Sequence, residues 1–353
     1  MAVVEIAADD EDAFKPITTW VGWRDYVDSP PLSLEPAADS SLWTVEQQLD
    51  HHSQFVVMTT PVMTKVSREL QLLLHVNRRQ RGTARRGLIV SGPPSTGKTT
   101  TMMELGRIFE LADRRKHPDA GVRLPVAFVA VPPASTPKML VAEFARFLGL
   151  PLLRRMNQAE ITDLVCAKLS ELRTQLVLVD DIHLLDTRTR AGAETSDQIK
   201  HLGERIAATF VFAGVDVQDS PLLVGPRGQQ IAGRFQLLRN DPLPYGAESQ
   251  KQVWLELVTD LESALRLHDH RRGTLPRLAA YLHRRTGGVM GTLVSLIRKA
   301  ATAAILDGSQ RITKESLERC ELDLRAEEQL LAPTVPKPRR SPARPARPAR
   351  SGR

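Results

Sequence analysis

A lysine, two threonines and a pair of adjacent carboxylates are the side chains of this sequence whose spacing could do chemistry together. Gly92-Pro93-Pro94-Ser95-Thr96-Gly97-Lys98-Thr99, followed by Thr100, satisfies G-x-x-x-x-G-K-[ST]. The glycines let the backbone turn tightly, so that its N–H groups converge on anionic oxygens. Lys98 then sets a cation on the β and γ phosphates of a nucleoside triphosphate, and Thr99 offers a hydroxyl to Mg2+. A helix beginning here adds the positive end of its dipole. Downstream, LVLVDDIHLL ends an apolar run on Asp180 and Asp181. Asp180 is expected to hold Mg2+ through water, and Asp181 to orient or activate the attacking water. ATP with Mg2+ is therefore the expected cofactor pair, and ATP hydrolysis the expected reaction. Many such ATPases carry glutamate where Asp181 stands. The shorter side chain predicts slow hydrolysis, which suits a timer better than a motor.

His183 completes D-D-x-H, and GQQIAGRFQLLR at 228–239 contains Q-x-x-G-R, a helicase-like combination. A helicase places that arginine motif in a second nucleotide-binding-type domain, and the roughly 50 intervening residues are too few to build one. His183 reads equally as a packed or capping histidine and as a phosphate relay.

These groups need strands to carry them and helices to cover the strands. GLIVSG runs into the first glycine turn, and TTMMELGRIFELADRR after it reads as a helix, the strand–loop–helix order the motif requires. VAFVAV at 126–131, LVLVD at 176–180 and TFVFAG at 209–214 are further short apolar runs, separated by helix-like stretches. The alternation predicts an α/β fold with a parallel sheet covered on both faces. After about residue 245 the strand-like runs stop, and helix-like segments follow one another. The expected organisation is an N-terminal extension over 1–59, an ATPase core over 60–244, a small all-helical lid over 245–325 and an Arg/Pro-rich disordered tail over 326–353.

Composition narrows the partners. Lys and Arg total 48 against 41 acids, and the tail residues Lys337, Arg339, Arg340, Arg344, Arg347, Arg350 and Arg353 account for the whole net charge of +7. The body is neutral, so an electrostatic case for nucleic acid rests on the tail and on local patches such as RRQRGTARR, not on the high pI. The tail reads either as a flexible phosphate-binding arm or as a solubilising linker. No apolar stretch approaches the roughly 20 residues of a membrane span. The acidic start MAVVEIAADDEDAF lacks the order of a signal peptide, and Cys166 and Cys320 form neither a disulfide framework nor a metal spacing. The cytoplasm is the expected compartment. Three of the four tryptophans, Trp20, Trp23 and Trp43, lie in the first 50 residues. That segment either packs across the core or docks onto a partner.

The order of GLIVSGPPSTGKTT, LPVAFVAVPPASTPKMLVAEFARFLGLP, LVLVDDIHLL, FVFAGV and AGRFQLL, with lid-like TGGVMGTLVSLIRKAATAAILDGSQRIT after them, resembles the P-loop AAA+ ATPases. Within these, residues 60–325 look most like the TniB/TnsC-type transposition proteins, relatives of the phage Mu target-selection ATPase. The resemblance implies ATP-dependent assembly of a homo-oligomeric ring or helical filament on double-stranded DNA, which marks a target and recruits or activates a transposase, with a target-selection adaptor as a further partner. It also implies that Arg234 is presented as an arginine finger to a neighbouring subunit, or else is a surface arginine. Thr136 and Lys138, in PPASTPK, fall in a loop that faces DNA in related filaments, or that is simply solvated. Two features depart from the family pattern. The phosphate-sensing Asn or Thr after the fourth strand falls among Ala213, Gly214, Val215 and Asp216. The lid pattern G-x-x-R reads Gly288-Val289-Met290-Gly291.

The alternative reading is a signalling or defence ATPase with the same core, whose Trp-bearing segment binds protein and which uses no DNA. A small-molecule kinase is disfavoured, because the helical part follows the core instead of interrupting it.

Overall fold

The computed structural model describes residues 15–331, except 30, 33, 35–42, 55, 81–84, 120, 186–189, 221, 222 and 224. Of the tail expected over 326–353, residues 332–353 lie outside the described residues, as does the middle of RRQRGTARR; residues 326–331 instead belong to a last helix, Leu324–Leu331, on which Ala326 is buried.

Two short helices precede the core: α1, Trp20–Asp28, capped by the Thr19 side chain, and α2, Val45–Ser53, opened by a capping box between Thr44 and Gln47. Helix α3, Pro61–Asn77, starts on Thr60 with proline in its first turn, and the residues it buries, Met63, Val66 and Leu70, repeat at helical spacing. Strand β1, Gly87–Ser91, is buried throughout and leads through the glycine loop into α4, Lys98–Lys116. Then follow β2, Val126–Ala130, α5, Pro137–Phe147, α6, Gln158–Glu171, and β3, Leu176–Asp180. Helix α7, Arg190–Arg205, β4, Thr209–Gly214, α8, Gly225–Ala232, and β5, Phe235–Arg239, complete the α/β part. The strands stand in the order β2-β3-β4-β1-β5, and every pairing is parallel. Each strand of the expected α/β sheet is where its apolar run placed it. β1 to β4 are continuous β-branched and aliphatic runs because both faces are covered. β5, at the edge, leaves Gln236 and Leu237 exposed.

Six helices follow: α9, Glu248–Ser263, α10, Thr274–Arg277, α11, Ala279–Thr286, α12, Met290–Leu306, α13, Lys314–Arg319, and α14, Leu324–Leu331. They surround a second hydrophobic core, built on Trp254, Leu275, Leu293 and Leu296, distinct from the sheet's core. Among the described residues no single helix is long and apolar enough to cross a membrane.

The tryptophans of the N-terminal segment face inward. Trp23 is fully buried, stacks on Phe128 with ring centroids 5.7 Å apart and donates its indole N–H to Glu110. Trp43 lies edge-on to His51 and under the Arg266 guanidinium, so it belongs to the helical half. Helix α2 packs along α12: Gln48 donates to Arg266 O at 2.6 Å, and the Arg298 guanidinium donates to the carbonyls of His52 and Ser53. The N-terminal segment thus straps both halves.

The strap is expected to weaken in acid. His52 accepts the Arg266 N–H on Nε2, and burial, with His51, Arg266 and Arg298 nearby, pushes it down from 6.5 to about 4. An unfolded His52 takes up a proton that the folded one refuses, so stability present above about 6.5 is lost as pH falls toward 4. Melting temperature is expected to drop across that window, and to drop less in His52→Gln. Equal slopes for the two proteins would contradict this.

Candidate functional site

The loop after β1 is held open by its surroundings. Gly92 has no room for a side chain, since a Cβ there would sit 2.1 Å from Asn240 O. Asn240, just past β5, donates its backbone N–H to Ser91 O (2.7 Å) and its side-chain amide to Thr96 O (3.2 Å). Thr96 closes the loop on itself by donating to Pro93 O at 2.9 Å. Gly97 takes the left-handed conformation, φ 89°, which a side chain would strain. It opens α4 with no side-chain cap, so the first N–H groups of that helix remain for a ligand. Pro94 and Ser95 form the outer turn of the loop, and Thr100 lies in the first turn of α4.

Helix α4 crosses over the sheet beside β4 and β3. That crossing carries Thr99, attached to β1, to the end of β3, two strands away. Its hydroxyl donates to Asp180 Oδ2 at 2.6 Å. Asp180 is buried, and burial raises its pKa above the usual carboxylate range, although the Thr99 and Asp181 hydrogen bonds oppose that. A desolvated carboxylate beside a threonine hydroxyl is a hard-oxygen pair that would suit Mg2+. Lys98 is 7% exposed and donates to Pro93 O at 2.7 Å. Burial lowers its pKa, while Asp180, Asp181 and Asp216 act to keep it charged.

Asp181 is left-handed, φ 55°, and its side chain is 47% exposed, so its carboxylate stands free beside the buried Asp180. His183 places Nδ1 3.9 Å from Asp181 Oδ1, and that buried nitrogen makes no hydrogen bond. Asp216, one of the four residues around the end of β4 among which the family's Asn or Thr is expected to fall, acts on the lysine electrostatically.

Three expected site residues stand away from this cluster. Arg234 precedes β5, and its carbonyl accepts from Gly87 N–H at the start of β1, the sheet end opposite the phosphate loop. Its guanidinium pairs with Glu204 at 3.1 Å. It cannot serve its own phosphate site. Thr136 caps α5 by accepting from Met139 N–H (3.3 Å), which occupies its hydroxyl, and Lys138 is exposed in the first turn of that helix.

Beside the loop lies a cavity of about 670 Å³, walled by Thr96, Gly97 and Thr100, by Leu49 and Met58 from the N-terminal segment, and by Val294 of α12. The size and the mixed apolar wall suit a nucleoside. The motifs gave no hint of this pocket, because two of its three walls carry no motif. Gly291 closes the junction by donating its N–H to Ser95 O at 2.9 Å.

The family model described as bacterial TniB protein matches residues 49–243. No curated protein matches the sequence significantly. Among solved structures, the Aeropyrum pernix ORC2 protein in its ADP form is 14% identical with a TM-score of 0.58, over 84% of this chain and 71% of that one. The Aeropyrum pernix ORC1 protein in complex with DNA is 18% identical with a TM-score of 0.55, over 77% and 66%. Cdc6p from Pyrobaculum aerophilum is 20% identical with a TM-score of 0.52, over 74% and 67%. The chain spans about two thirds of the length of these structural relatives, and at such identities the likeness is one of fold. A family match over more than half of the sequence, on a sheet of AAA+ order with its phosphate loop and acidic strand end in contact, makes this chain a member of the TniB family with the P-loop AAA+ ATPase fold.

Proposed function

We propose that the protein is an ATP-dependent, DNA-associated switch in transposition: it assembles with ATP on double-stranded DNA, marks a target, and engages a transposase or an adaptor until slow hydrolysis loosens the assembly. The observation that carries this reading is the Thr99–Asp180 contact of 2.6 Å at the head of α4, with Lys98 beside it and a nucleoside-sized cavity alongside. Mg2+ bound there would neutralise phosphate charge. The chain's own residues do the rest. The α4 N–H groups and Lys98 bind the phosphates, and Asp181 holds the attacking water. Leu49, Met58 and Val294 enclose the nucleoside, so binding joins the sheet core over 60–244 to the helical lid over 245–325.

Arg234, remote from its own site, would serve a neighbouring subunit in a nucleotide-dependent ring or filament, exchanging Glu204 for that subunit's phosphate. DNA association is supported by the family and by the Arg-rich tail, which would add salt-sensitive affinity. Thr136 and Lys138 remain candidate phosphate contacts, with the lysine the freer of the two. The cytoplasm is the compartment where such an assembly would meet DNA. The signalling or defence reading put protein binding on the Trp-bearing segment, and the burial of Trp23 weighs against that tryptophan as the contact.

Duplex DNA retention on filters, with ATP, ADP or no nucleotide, tests the proposal. Retention that needs ATP and falls at high salt is expected, and absence of retention under all three conditions would contradict it. Asp181→Asn is expected to lower hydrolysis at least about 100-fold, the low end for loss of a general base, while ATP-supported retention lasts longer. Unchanged turnover would remove Asp181 from the mechanism.

A further inference from the structure

His183 stands in the turn after β3, and that turn is clamped on both sides. On one side Ile182 is buried against the end of β4, where a Cβ on Gly214 would lie 3.1 Å from Ile182 Cγ2 and 3.2 Å from His183 N. On the other side the fully buried Ser135, in the loop after β2, donates its N–H to Leu184 O at 3.3 Å and bridges to Leu185. Within the turn, Leu184 N–H donates to Asp181 O at 2.9 Å. The backbone positions of Asp181 and His183 are therefore fixed relative to one another. Their side chains lie together, with His183 Nδ1 3.9 Å from Asp181 Oδ1.

Each of the two groups lacks what the other has. Nδ1 is buried and makes no hydrogen bond, so it caps nothing, and its desolvation is uncompensated. The Asp181 carboxylate is half exposed and accepts no hydrogen bond from any described residue. We propose that His183 is a positioning residue for ATP hydrolysis: with nucleotide bound, its Nδ1–H donates to Asp181 Oδ1 and holds the other carboxylate oxygen toward the attacking water. The inference rests on the role proposed above for Asp181. An ionised carboxylate only accepts, so the ring nitrogen that faces it carries the proton. Closing the gap by about 1 Å gives a charge-assisted bond of ordinary length. The exposed Asp181 side chain is free to make that move while its backbone stays clamped. A carboxylate one methylene shorter than glutamate depends on such a brace, since misplacement by about 1 Å costs on the order of 100-fold in rate.

Hydrolysis by the full chain at saturating ATP and Mg2+, measured beside fluorescent mant-ATP titration and melting temperature, tests this. His183→Ala is expected to lower kcat about 10-fold or more, the scale of one charged hydrogen bond, and to change mant-ATP affinity less than about 2-fold. Melting temperature should not move. His183→Asn, whose amide N–H takes the place of Nδ1–H, should recover most of the rate, which an amide would not do for a group that passes protons. Added to Asp181→Asn, His183→Ala should slow hydrolysis no further, because the two residues act as a unit. Wild-type kcat in His183→Ala, with Asp181→Asn slow, overturns the proposal alone. So does a loss of rate that His183→Asn fails to recover, or one matched by weaker mant-ATP binding and a lower melting temperature. Wild-type turnover by Asp181→Asn, or a wild-type chain that binds ATP without hydrolysing it, overturns the reading of Asp181 and the proposal together.

Discussion

Lys98→Ala is expected to bind ATP at least about 30-fold, and up to several thousand-fold, more weakly than the wild type, the range for truncating one partner of a buried charged contact. The side chain is buried against the phosphate loop, with Asp180, Asp181 and Asp216 all acting on its charge. Without it the pocket presents carboxylates to a polyanion, so the loss includes a repulsion as well as a missing contact. Assembly on DNA should fail with it. Nucleotide binding by a variant of unchanged circular dichroism checks the expectation. Normal ATP-dependent assembly by Lys98→Ala would mean that the nucleotide is not the switch.

Trp23→Ala should be the most destabilising single truncation in the N-terminal segment, costing about 3–5 kcal/mol in urea unfolding. The indole fills the space between α1 and α4, where Gly106 has no room for a Cβ because Trp23 Cη2 would lie 2.6 Å away. It also lies parallel to Phe128 at 6°. Glu110 depends on the same ring. Burial raises the pKa of this acid, and the hydrogen bonds from Trp23 and Arg114 hold it down. Removing the indole leaves a cavity and a buried carboxylate with Arg114 as its remaining donor. A loss under about 1 kcal/mol would show that α1 is a loosely attached arm.

The chemistry was legible wherever it is written in consecutive residues. Gly92 to Thr99 announce a phosphate loop because backbone curvature, a cation and a hydroxyl must come in that order, and Asp180 follows from an apolar run that ends on acid. The four buried strands were equally plain, since continuous β-branched runs bounded by turn residues admit few readings. The parts supplied by tertiary contact were not legible. Asn240 braces the loop from beyond the edge strand, and nothing around it marks that duty. Leu49 and Met58 wall the cavity from a segment without a motif, and the helices α1 and α2 are too short for periodicity to reveal. Gly291 was visible as a missing arginine, but its contact with Ser95 O, which makes an arginine impossible there, depends on how the lid docks.

Equilibrium dialysis of the folded full chain against labelled ATP and Mg2+ tests the central claim most directly. The account predicts one ATP retained per chain, displaced by unlabelled ATP and abolished in Lys98→Ala. Folded protein that retains no ATP at any concentration up to the millimolar range would contradict it.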